Sequence, residues 1–457
     1  MVYDVVIIGG GPGGYASALY AHNFGLNVAL IEKEKVGGTC LLRGCIPAKA
    51  WLKTAEVYAH VKKAAEFGVN VGEPSLDWKA ALERKNNIVD GLVRGLSGLL
   101  EARNAEVISG YGRLADGGVE VTSDDGETRM LETRNVILAT GSKPRSIPGY
   151  EFDGDKIVSS REALDWDERP KRVAIIGAGA IGSEFALILG STGSEVHLFE
   201  MLDQVVPGTE PEAGKVLARE MKKRGIKVRT GVGVGPAEIN DDRVVVPFEG
   251  DYVDVDKVLV AVGRAPVTED VGLETTRVEL DRGFVQVDPD TMMTAEPGIY
   301  AVGDIVAGTP QLAHAGFAEG IAAITHIATG DTAPVDYRAI PLVVYTDPEV
   351  ATVGLTEAMA REAGYEVEVH DHGMRGLGRA LIHGEVGGLV KLVSEKDGPI
   401  LGATVVAPEA GELIHELMYA VAWEALPAEA AAFIHAHPTM SEAIGETLLS
   451  AAGRSLH

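Results

Sequence analysis

One pattern occurs twice in this chain and limits the folds that it can adopt. In each copy a short β-branched run, Val5–Ile8 or Val173–Ile176, precedes a glycine-rich turn, an apolar stretch typical of a helix, and a second apolar run. An acidic residue ends the second run, Glu32 in the first copy and Glu200 in the second. Strand, glycine turn, helix and strand in this order predict two βαβ units of the doubly wound α/β class.

The two copies coincide in register. The matching positions are Gly9, Gly11, Gly14, Ala18, Leu19, Gly25, Val28, Leu30 and Glu32 in the first copy and Gly177, Gly179, Gly182, Ala186, Leu187, Gly193, Val196, Leu198 and Glu200 in the second. In such units the first glycine forms the tight turn, the second lets the backbone approach a pyrophosphate, and the third lets the helix pack on the strand. The helix N-terminus attracts the phosphates and the acidic residue accepts from ribose hydroxyls. The sequence therefore predicts two dinucleotide sites.

The bulk properties limit the function further. The length of 457 residues predicts about three domains. The formal net charge of −26 argues against nucleic acid and anionic membranes as partners, and it permits a basic protein partner. No apolar run is long enough to span a bilayer and the first strand begins at once, so we expect a cytoplasmic protein.

The two cysteines, Cys40 and Cys45, lie close together, and this spacing indicates chemistry. A disulfide that closes so short a loop would stabilise so long a chain very little. A close pair in a cytosolic protein favours redox or metal chemistry, and Leu41–Gly44 offers no further metal ligand. We therefore expect a redox pair and no metal. Pro47 suits the first turn of a helix, which would place Cys45 near the helix N-terminus, where a thiolate is favoured, and Lys49 one turn further on.

Further blocks extend this pattern, and together they resemble the pyridine nucleotide–disulfide oxidoreductase family over nearly the whole chain. The blocks are 37–49, both glycine patterns, 139–141, 263–266, 303–304, 312–314 with 319–320, 340–341, 345–349, and 435–439 with Glu442. The resemblance implies an α/β fold with two Rossmann-like dinucleotide-binding domains, for FAD and NAD, plus a C-terminal α+β dimerisation domain. The implied ranges are 1–147 for the FAD domain, 148–267 for the NAD domain, 268–335 for a central segment that returns to the FAD domain, and 336–457 for the interface domain.

The resemblance assigns the redox and acid–base roles by position. It implies that Cys40 exchanges with the substrate and that Cys45 faces the flavin as a thiolate. It implies that His437 is the base and that Glu442 orients it. The peptide between His437 and Pro438 becomes a candidate for the cis form, since X–Pro bonds are where cis is tolerated.

The same resemblance implies the cofactor ligands. Those for FAD are Gly9, Gly11, Gly14, Glu32, Thr39, Lys49, Gly141, Asp304 and Ala313. Those for NAD are Gly177, Gly179, Gly182, Glu184, Glu200 and Gly263. Glu184 is also expected to pair with Lys49, while structural roles are expected for His314 and His435.

The implied activity is the oxidation of protein-bound dihydrolipoamide to lipoamide through the Cys40–Cys45 disulfide and FAD, with hydride transfer to NAD⁺. Glu200 favours NAD, because its carboxylate would repel a 2′-phosphate and Met201–Asp203 offers no arginine to hold one. Two alternatives remain open, an NADPH-dependent reductase of a low-molecular-weight disulfide and a transhydrogenase-like flavoprotein.

The resemblance also implies an assembly. It predicts a homodimer whose active sites are each built from both chains. The expected partners are the lipoyl domains and the peripheral binding domain of a 2-oxo acid dehydrogenase complex, or the lipoyl protein of glycine cleavage.

Two positions depart from relatives of this family. Arg375–Arg379 reads Arg-Gly-Leu-Gly-Arg where relatives usually carry an Asn and a Ser, so no role is predicted for it. Ala180 stands where glutathione-type reductases tend to carry a tyrosine over the flavin.

Overall fold

A computed structural model describes residues 2–456, and these residues fall into two compact units. The first unit contains the residues up to Ala50 together with Lys79–Arg145 and Gly263–Tyr337. The second unit contains Trp51–Trp78, Ser146–Val262 and the residues from Arg338 onward. The domain boundaries inferred from the sequence stay a prediction.

Strands and helices alternate through most of the chain. The strands are β1 (Tyr3–Ile8), β2 (Val28–Glu32), β3 (Glu106–Ser109), β4 (Tyr111–Ala115), β5 (Gly118–Thr122), β6 (Thr128–Leu138), β7 (Ser142–Pro144), β8 (Ile157–Val158), β9 (Arg172–Ile176), β10 (Glu195–Glu200), β11 (Lys227–Thr230), β12 (Glu238–Asn240), β13 (Arg243–Phe248), β14 (Asp251–Val255), β15 (Lys257–Val260), β16 (Arg264–Pro266), β17 (Leu280–Asp281), β18 (Phe284–Val285), β19 (Ile299–Ala301), β20 (Leu342–Val344), β21 (Glu349–Gly354), β22 (Val367–Gly373), β23 (Leu389–Glu395) and β24 (Ile400–Ala407). The α-helices are α1 (Pro12–Ala21), α2 (Gly38–Arg43), α3 (Cys45–Lys62), α4 (Trp78–Ala102), α5 (Ser160–Ala163), α6 (Ala180–Thr192), α7 (Pro211–Lys223), α8 (Ala313–Thr329), α9 (Glu357–Glu362), α10 (Gly378–His383), α11 (Ala410–Ala422), α12 (Pro427–Ala430) and α13 (Glu442–Ala451). Across residues 2–456 we find no helix with the length and apolar composition needed to cross a bilayer.

The main sheet of the first unit has the strand order β3-β2-β1-β6-β5-β4, with β19 beside β6. The pairs β3–β2, β2–β1, β1–β6 and β6–β19 are parallel, whereas β4, β5 and β6 form an antiparallel meander. Val5, Val6 and Ile7 of β1 are fully buried. A parallel strand covered on both faces is a continuous apolar run rather than an alternating one, which is the pattern that predicted this strand.

Glycines let α1 and α8 approach each other closely in the first unit. A Cβ on Gly320 would lie 2.7 Å from Ser17 Oγ and 2.8 Å from the carbonyl oxygen of Gly13. A Cβ on Gly13 would lie 2.9 Å from Val302. Because such distances leave no room for a side chain, α1 is held against α8 with its N-terminus in a defined place.

The second unit repeats the parallel arrangement, with the strand order β11-β10-β9-β15-β8. Val173 of β9 pairs with Val196 of β10, as Val5 of β1 pairs with Val28 of β2. The two predicted βαβ units are thereby confirmed. An antiparallel sheet, β12-β13-β14, follows β11 along the chain.

The C-terminal part of the second unit is an antiparallel sheet with the strand order β20-β21-β24-β23-β22. Helix α11 packs on β21 and β24, and α13 packs on β22 and β23. Ile414, Leu417, Ile444 and Leu448 from these helices are buried in its core. The predicted α+β character of this region is confirmed.

Candidate redox and dinucleotide-binding sites

The two glycine turns have the same backbone geometry. Gly9 and Gly177 begin the turns at φ values of +108° and +98°, a region in which side chains are strained. A Cβ on Gly14 would lie 1.9 Å from the carbonyl oxygen of Gly9, and a Cβ on Gly182 would lie 1.9 Å from that of Gly177. Each turn therefore requires glycine at its first and third positions, as the sequence predicted.

The acidic residue at the end of each second strand folds back onto its glycine turn. Glu32 Oε2 accepts from the Gly10 N–H at 2.7 Å, and Oε1 accepts from the Glu34 N–H at 2.9 Å. Glu200 does the same with the Ala178 N–H at 2.7 Å and the Leu202 N–H at 2.9 Å. A carboxylate has about four lone-pair sites, so each of these acids keeps acceptor capacity for ribose hydroxyls.

The open faces of the turns fit a pyrophosphate. A Cβ on Gly11 would meet just one atom within 4 Å, Gly38 Cα at 3.8 Å, and a Cβ on Gly179 would meet none. These two glycines are the N-caps of α1 and α6, whose first-turn N–H groups point outward with the positive end of the helix dipole. The residues therefore suit the phosphate groups of FAD and NAD.

The cysteine pair lies at the junction of two helices. Cys40 is within α2, Gly44 separates the helices, and Cys45 is the first residue of α3, which confirms its predicted place at a helix N-terminus. Both are partly buried thiols. The hydrogen bond to Cys45, followed by burial and by the Cys45 charge, raises the pKa of the Cys40 thiol, and Lys49 opposes this. Cys40 therefore keeps its proton at neutral pH.

A tyrosine that the sequence did not single out lies near the pair. Burial, followed by the charges of Cys40 and Cys45, raises the pKa of Tyr15 to about 12. The phenol therefore stays neutral beside the dithiol at physiological pH. No sequence motif marks Tyr15, whose place follows from the packing of α1.

A polar cluster that the sequence did not single out connects several predicted FAD ligands. Arg264 donates from Nε to Ser142 Oγ at 2.6 Å and from Nη2 to the Ser142 carbonyl at 2.7 Å. Nη2 also lies 3.4 Å from Thr39 Oγ1, and Nε lies 3.7 Å from Asp304 Oδ2. Ser142 Oγ donates to Asp304 as well. The sequence could have pointed to Arg264 and Ser142 through their positions alone, because they directly follow the predicted ligands Gly263 and Gly141.

A buried carboxyl group fixes the turn that carries Asp304. Glu319 in α8 is fully buried, and it accepts from the Gly303 N–H and from the Tyr337 hydroxyl, the latter at 3.0 Å. Burial raises the pKa of Glu319, although these hydrogen bonds oppose the rise. Ala313, another predicted FAD ligand, is the first residue of the same helix.

The predicted base and its partner meet in the second unit. His437 Nδ1 lies 2.8 Å from Glu442 Oε1, and Glu442 Oε2 accepts from the Thr439 N–H at 2.8 Å. Burial opposes ionisation, but these hydrogen bonds outweigh it and lower the pKa of Glu442. The peptide between His437 and Pro438 is cis, which confirms the prediction, and a second cis peptide, before Pro348, was not predicted.

The surroundings of His437 are open in the single chain. Its side chain is 78% exposed. The preceding Phe433 and Ile434 are also exposed, although both are large and apolar. His435, in contrast, is largely buried and its Nε2 lies 2.7 Å from Glu416 Oε1, as suits the structural role expected for it.

Glu184 is buried in α6, where its Oε1 accepts from the Tyr345 N–H at 3.1 Å. Its predicted pairing with Lys49, which lies in the first unit, stays a prediction. The predicted roles of His314 and of the other cofactor ligands stay predictions too. Within residues 2–456 no group of three or more His, Cys, Asp or Glu side chains is arranged to hold a metal ion.

Two nucleotide-binding folds, a cysteine pair at a helix start and a separate α+β region define a flavin-dependent disulfide oxidoreductase. The chain belongs to the pyridine nucleotide–disulphide oxidoreductase family, whose sequence model matches residues 3–320. The model of that family's dimerisation domain matches residues 340–448, which supports a homodimer. Members of the family use FAD and NAD.

Individual relatives are similar to this chain over nearly its whole length. The dihydrolipoyl dehydrogenase of Bacillus subtilis is 40% identical over 471 aligned residues, which cover 100% of this chain and 99% of the relative. That of Haloferax volcanii is 39% identical, covering 99% of this chain and 97% of the relative. Among solved structures, LpdA from Mycobacterium tuberculosis superposes with a TM-score of 0.90 at 27% identity, covering 98% of this chain and 99% of that one.

Proposed function

We propose that this chain is a dihydrolipoyl dehydrogenase, which oxidises protein-bound dihydrolipoamide to lipoamide and delivers the electrons to NAD⁺. The observation that carries the proposal is the hydrogen-bonded cysteine pair, Cys40 and Cys45, at the junction of α2 and α3. Similarity to dihydrolipoyl dehydrogenases over the full length of the chain supports the choice of substrate.

The exchange of thiols begins at the base. His437 of the partner subunit takes a proton from one thiol of the substrate, a task for which an imidazole is suited near neutral pH. The resulting thiolate attacks Cys40, the Cys40–Cys45 bond breaks, and Cys45 leaves as a thiolate. The second substrate thiol then displaces the Cys40 sulfur and gives up its proton to it. The raised pKa of Cys40 favours this protonated form. Lipoamide leaves, and the pair holds the two electrons.

The other residues hold the cofactors and orient the base. Bound FAD would supply an acceptor for the two electrons of the dithiol, and bound NAD⁺ would supply the final hydride acceptor. The first glycine turn, Glu32 and Asp304 bind FAD, and the second turn with Glu200 binds NAD. Glu442 holds the His437 ring through Nδ1, which leaves Nε2 to receive the proton.

The proposal extends to the setting of the enzyme. We place it in the cytoplasm, where it acts on lipoyl domains and docks on the peripheral binding domain of a 2-oxo acid dehydrogenase complex, or acts on the glycine cleavage lipoyl protein. The net charge of −26 supports a basic docking partner, since complementary charge speeds association.

Two assays run in parallel test the proposal. The purified holoenzyme is assayed for dihydrolipoamide-dependent reduction of NAD⁺ and for NADPH-dependent reduction of glutathione disulfide. We expect turnover in the first assay and none above background in the second, with Cys40→Ser inactive in both. The reverse pattern would identify a reductase of a low-molecular-weight disulfide. Turnover that survives in Cys40→Ser would identify a transhydrogenase-like flavoprotein.

A further inference from the structure

The guanidinium of Arg264 is held beside the dithiol from several directions. Its side chain is 14% exposed, and Ser142 accepts from it through both the hydroxyl and the carbonyl oxygen. Asp304 lies 3.7 Å from Nε and Thr39 lies 3.4 Å from Nη2. Side chains this well fixed lose little further entropy in function, so the position of this charge is defined before substrate arrives.

Thr39 links this charge to both cysteines. It directly precedes Cys40 in α2, and its carbonyl oxygen would lie 2.9 Å from a Cβ on Gly44, the residue before Cys45. Arg264 therefore contacts a residue that directly precedes Cys40 and lies against Gly44, the residue before Cys45. Burial lowers the pKa of Arg264, while the charges of Asp304 and Cys45 raise it, which places Cys45 within the electrostatic reach of the guanidinium.

We propose that Arg264 is a positioning residue of the redox pair, which stabilises the Cys45 thiolate and so favours reduction of the Cys40–Cys45 disulfide. This inference rests on the proposed function. In the reduction the S–S bond breaks, the pair takes up two electrons from a dithiol and one proton at Cys40, and Cys45 remains a thiolate. A cation near Cys45 stabilises the product of this step and leaves the neutral disulfide unaffected.

The charged and titratable groups around Cys40 and Cys45 each affect the ionisation of the thiols with a known sign. Lys49 on α3 opposes the rise in the pKa of Cys40, and Tyr15 on α1 is neutral. Asp304, after β19, is negative and is compensated by Arg264. Loss of the Arg264 charge would therefore remove an attraction and expose a repulsion, and both effects raise the pKa of the Cys45 thiol.

The test compares variants that separate charge from shape. Arg264→Gln removes the charge and keeps a donor for Ser142, whereas Arg264→Lys keeps the charge and loses the planar fork. The disulfide equilibrium of each holoenzyme is measured in dithiothreitol redox buffers by alkylation and mass spectrometry. The thiolate pKa is measured from the pH dependence of alkylation at Cys45. For Arg264→Gln we expect a tenfold loss in the equilibrium constant of reduction, about 30 mV, and a rise of about one unit in the thiolate pKa.

Matched controls show whether Arg264 acts on Cys45 through its charge or only supports the fold. Arg134→Gln removes the same charge from an exposed ion pair with Asp4 and should change neither quantity. Arg264→Lys should keep both quantities near the wild-type values, as should Ser142→Ala. The proposal is overturned if Arg264→Gln leaves both unchanged, or if Arg264→Lys and Ser142→Ala shift them as far as Arg264→Gln does. Failure of the proposed function is distinct, since the wild type would then not turn over dihydrolipoamide with NAD⁺.

Discussion

His437 Nδ1 lies 2.8 Å from Glu442 Oε1, although the imidazole itself is exposed in the single chain. The hydrogen bond fixes which ring nitrogen faces inward, and Glu442 is in turn held by the Thr439 N–H at the start of α13. The ring is thus oriented by its own chain, while most of its surface stays open to solvent in the single chain.

Replacing this carboxylate should weaken catalysis without unfolding the protein. Glu442→Gln removes the charge that orients His437, and we expect kcat for dihydrolipoamide oxidation to fall about 100-fold, since a small misplacement of a catalytic group costs that much. The control is Glu416→Gln, the same change in the neighbouring pair with His435, which should leave kcat nearly unchanged. Equal losses in the two variants would show that the pairs have the same, merely structural, role.

A mixed dimer tests whether the active sites are shared. A His437→Gln chain combined with a Cys45→Ser chain should regain one working site of two, because one site of the heterodimer then contains both an intact base and an intact cysteine pair. Each homodimer serves as the inactive control. The measurement is dihydrolipoamide turnover of the isolated heterodimer, and no recovery would mean that each site is closed within one chain.

The two cysteines should differ in their contact with the flavin. The two-electron-reduced holoenzyme should show a long-wavelength absorbance band from a thiolate next to the flavin. Cys45→Ser should abolish this band and Cys40→Ser should retain it, because Cys40 keeps its proton. Anaerobic titration with dithionite measures the band in the wild type. The single variants have no disulfide to reduce, so their band is measured with the flavin still oxidised. The opposite result would reverse the assignment of the two sulfurs.

The coenzyme should be NAD rather than NADP. Glu200 Oε2 accepts from the Ala178 N–H of the second glycine turn and Oε1 accepts from the Leu202 N–H, which places a negative charge where a 2′-phosphate would lie. We expect kcat/KM with NAD⁺ to exceed that with NADP⁺ at least about 100-fold, equivalent to about 2.8 kcal/mol. Glu200→Gln should reduce the ratio of the two kcat/KM values, mainly by raising kcat/KM with NADP⁺. Comparable turnover with both coenzymes in the wild type would contradict the prediction.

A buried lysine should be important for stability. Lys391 is 5% exposed at its side chain, and its Nζ lies 2.8 Å from the buried Glu210 and 3.0 Å from Glu357. Lys391→Met leaves Glu210 without its cation, so we expect a loss of about 3–5 kcal/mol in the free energy of unfolding. The control Lys396→Met breaks an exposed pair with Glu366 and should leave the thermal midpoint unchanged.

The pH dependence of this lysine has a definite sign. Burial alone would lower the pKa of Lys391, but the hydrogen bonds that it donates to Glu210 and Glu357 outweigh burial and raise the pKa. The stabilisation is therefore fully present below the ordinary lysine pKa and is lost as the pH rises through the raised value. Thermal unfolding of the wild type and of Lys391→Met between neutral and strongly alkaline pH should show the difference in midpoint shrinking only at the alkaline end.

The sequence alone predicted the features that depend on neighbours along the chain. The glycine turns follow from φ values that only glycine adopts without strain, and the two βαβ units follow from the order of apolar runs. The place of Cys45 at a helix start follows from Pro47 in the first turn of that helix. The contact between His437 and Glu442 spans five residues, so it too is nearly local.

Tertiary structure decided which distant residues surround the redox pair. Arg264 reaches Ser142 across 122 positions and Thr39 across 225, and Ser142 reaches Asp304 across 162. No periodicity or motif fixes such contacts, because they depend on the antiparallel pairing of β7 with β16, which are far apart in the chain, and on the places of α2 and of the turn after β19. Arg264, which we propose to stabilise the Cys45 thiolate, can therefore be read in the sequence as a residue. Only the fold shows that its charge lies near the cysteine pair.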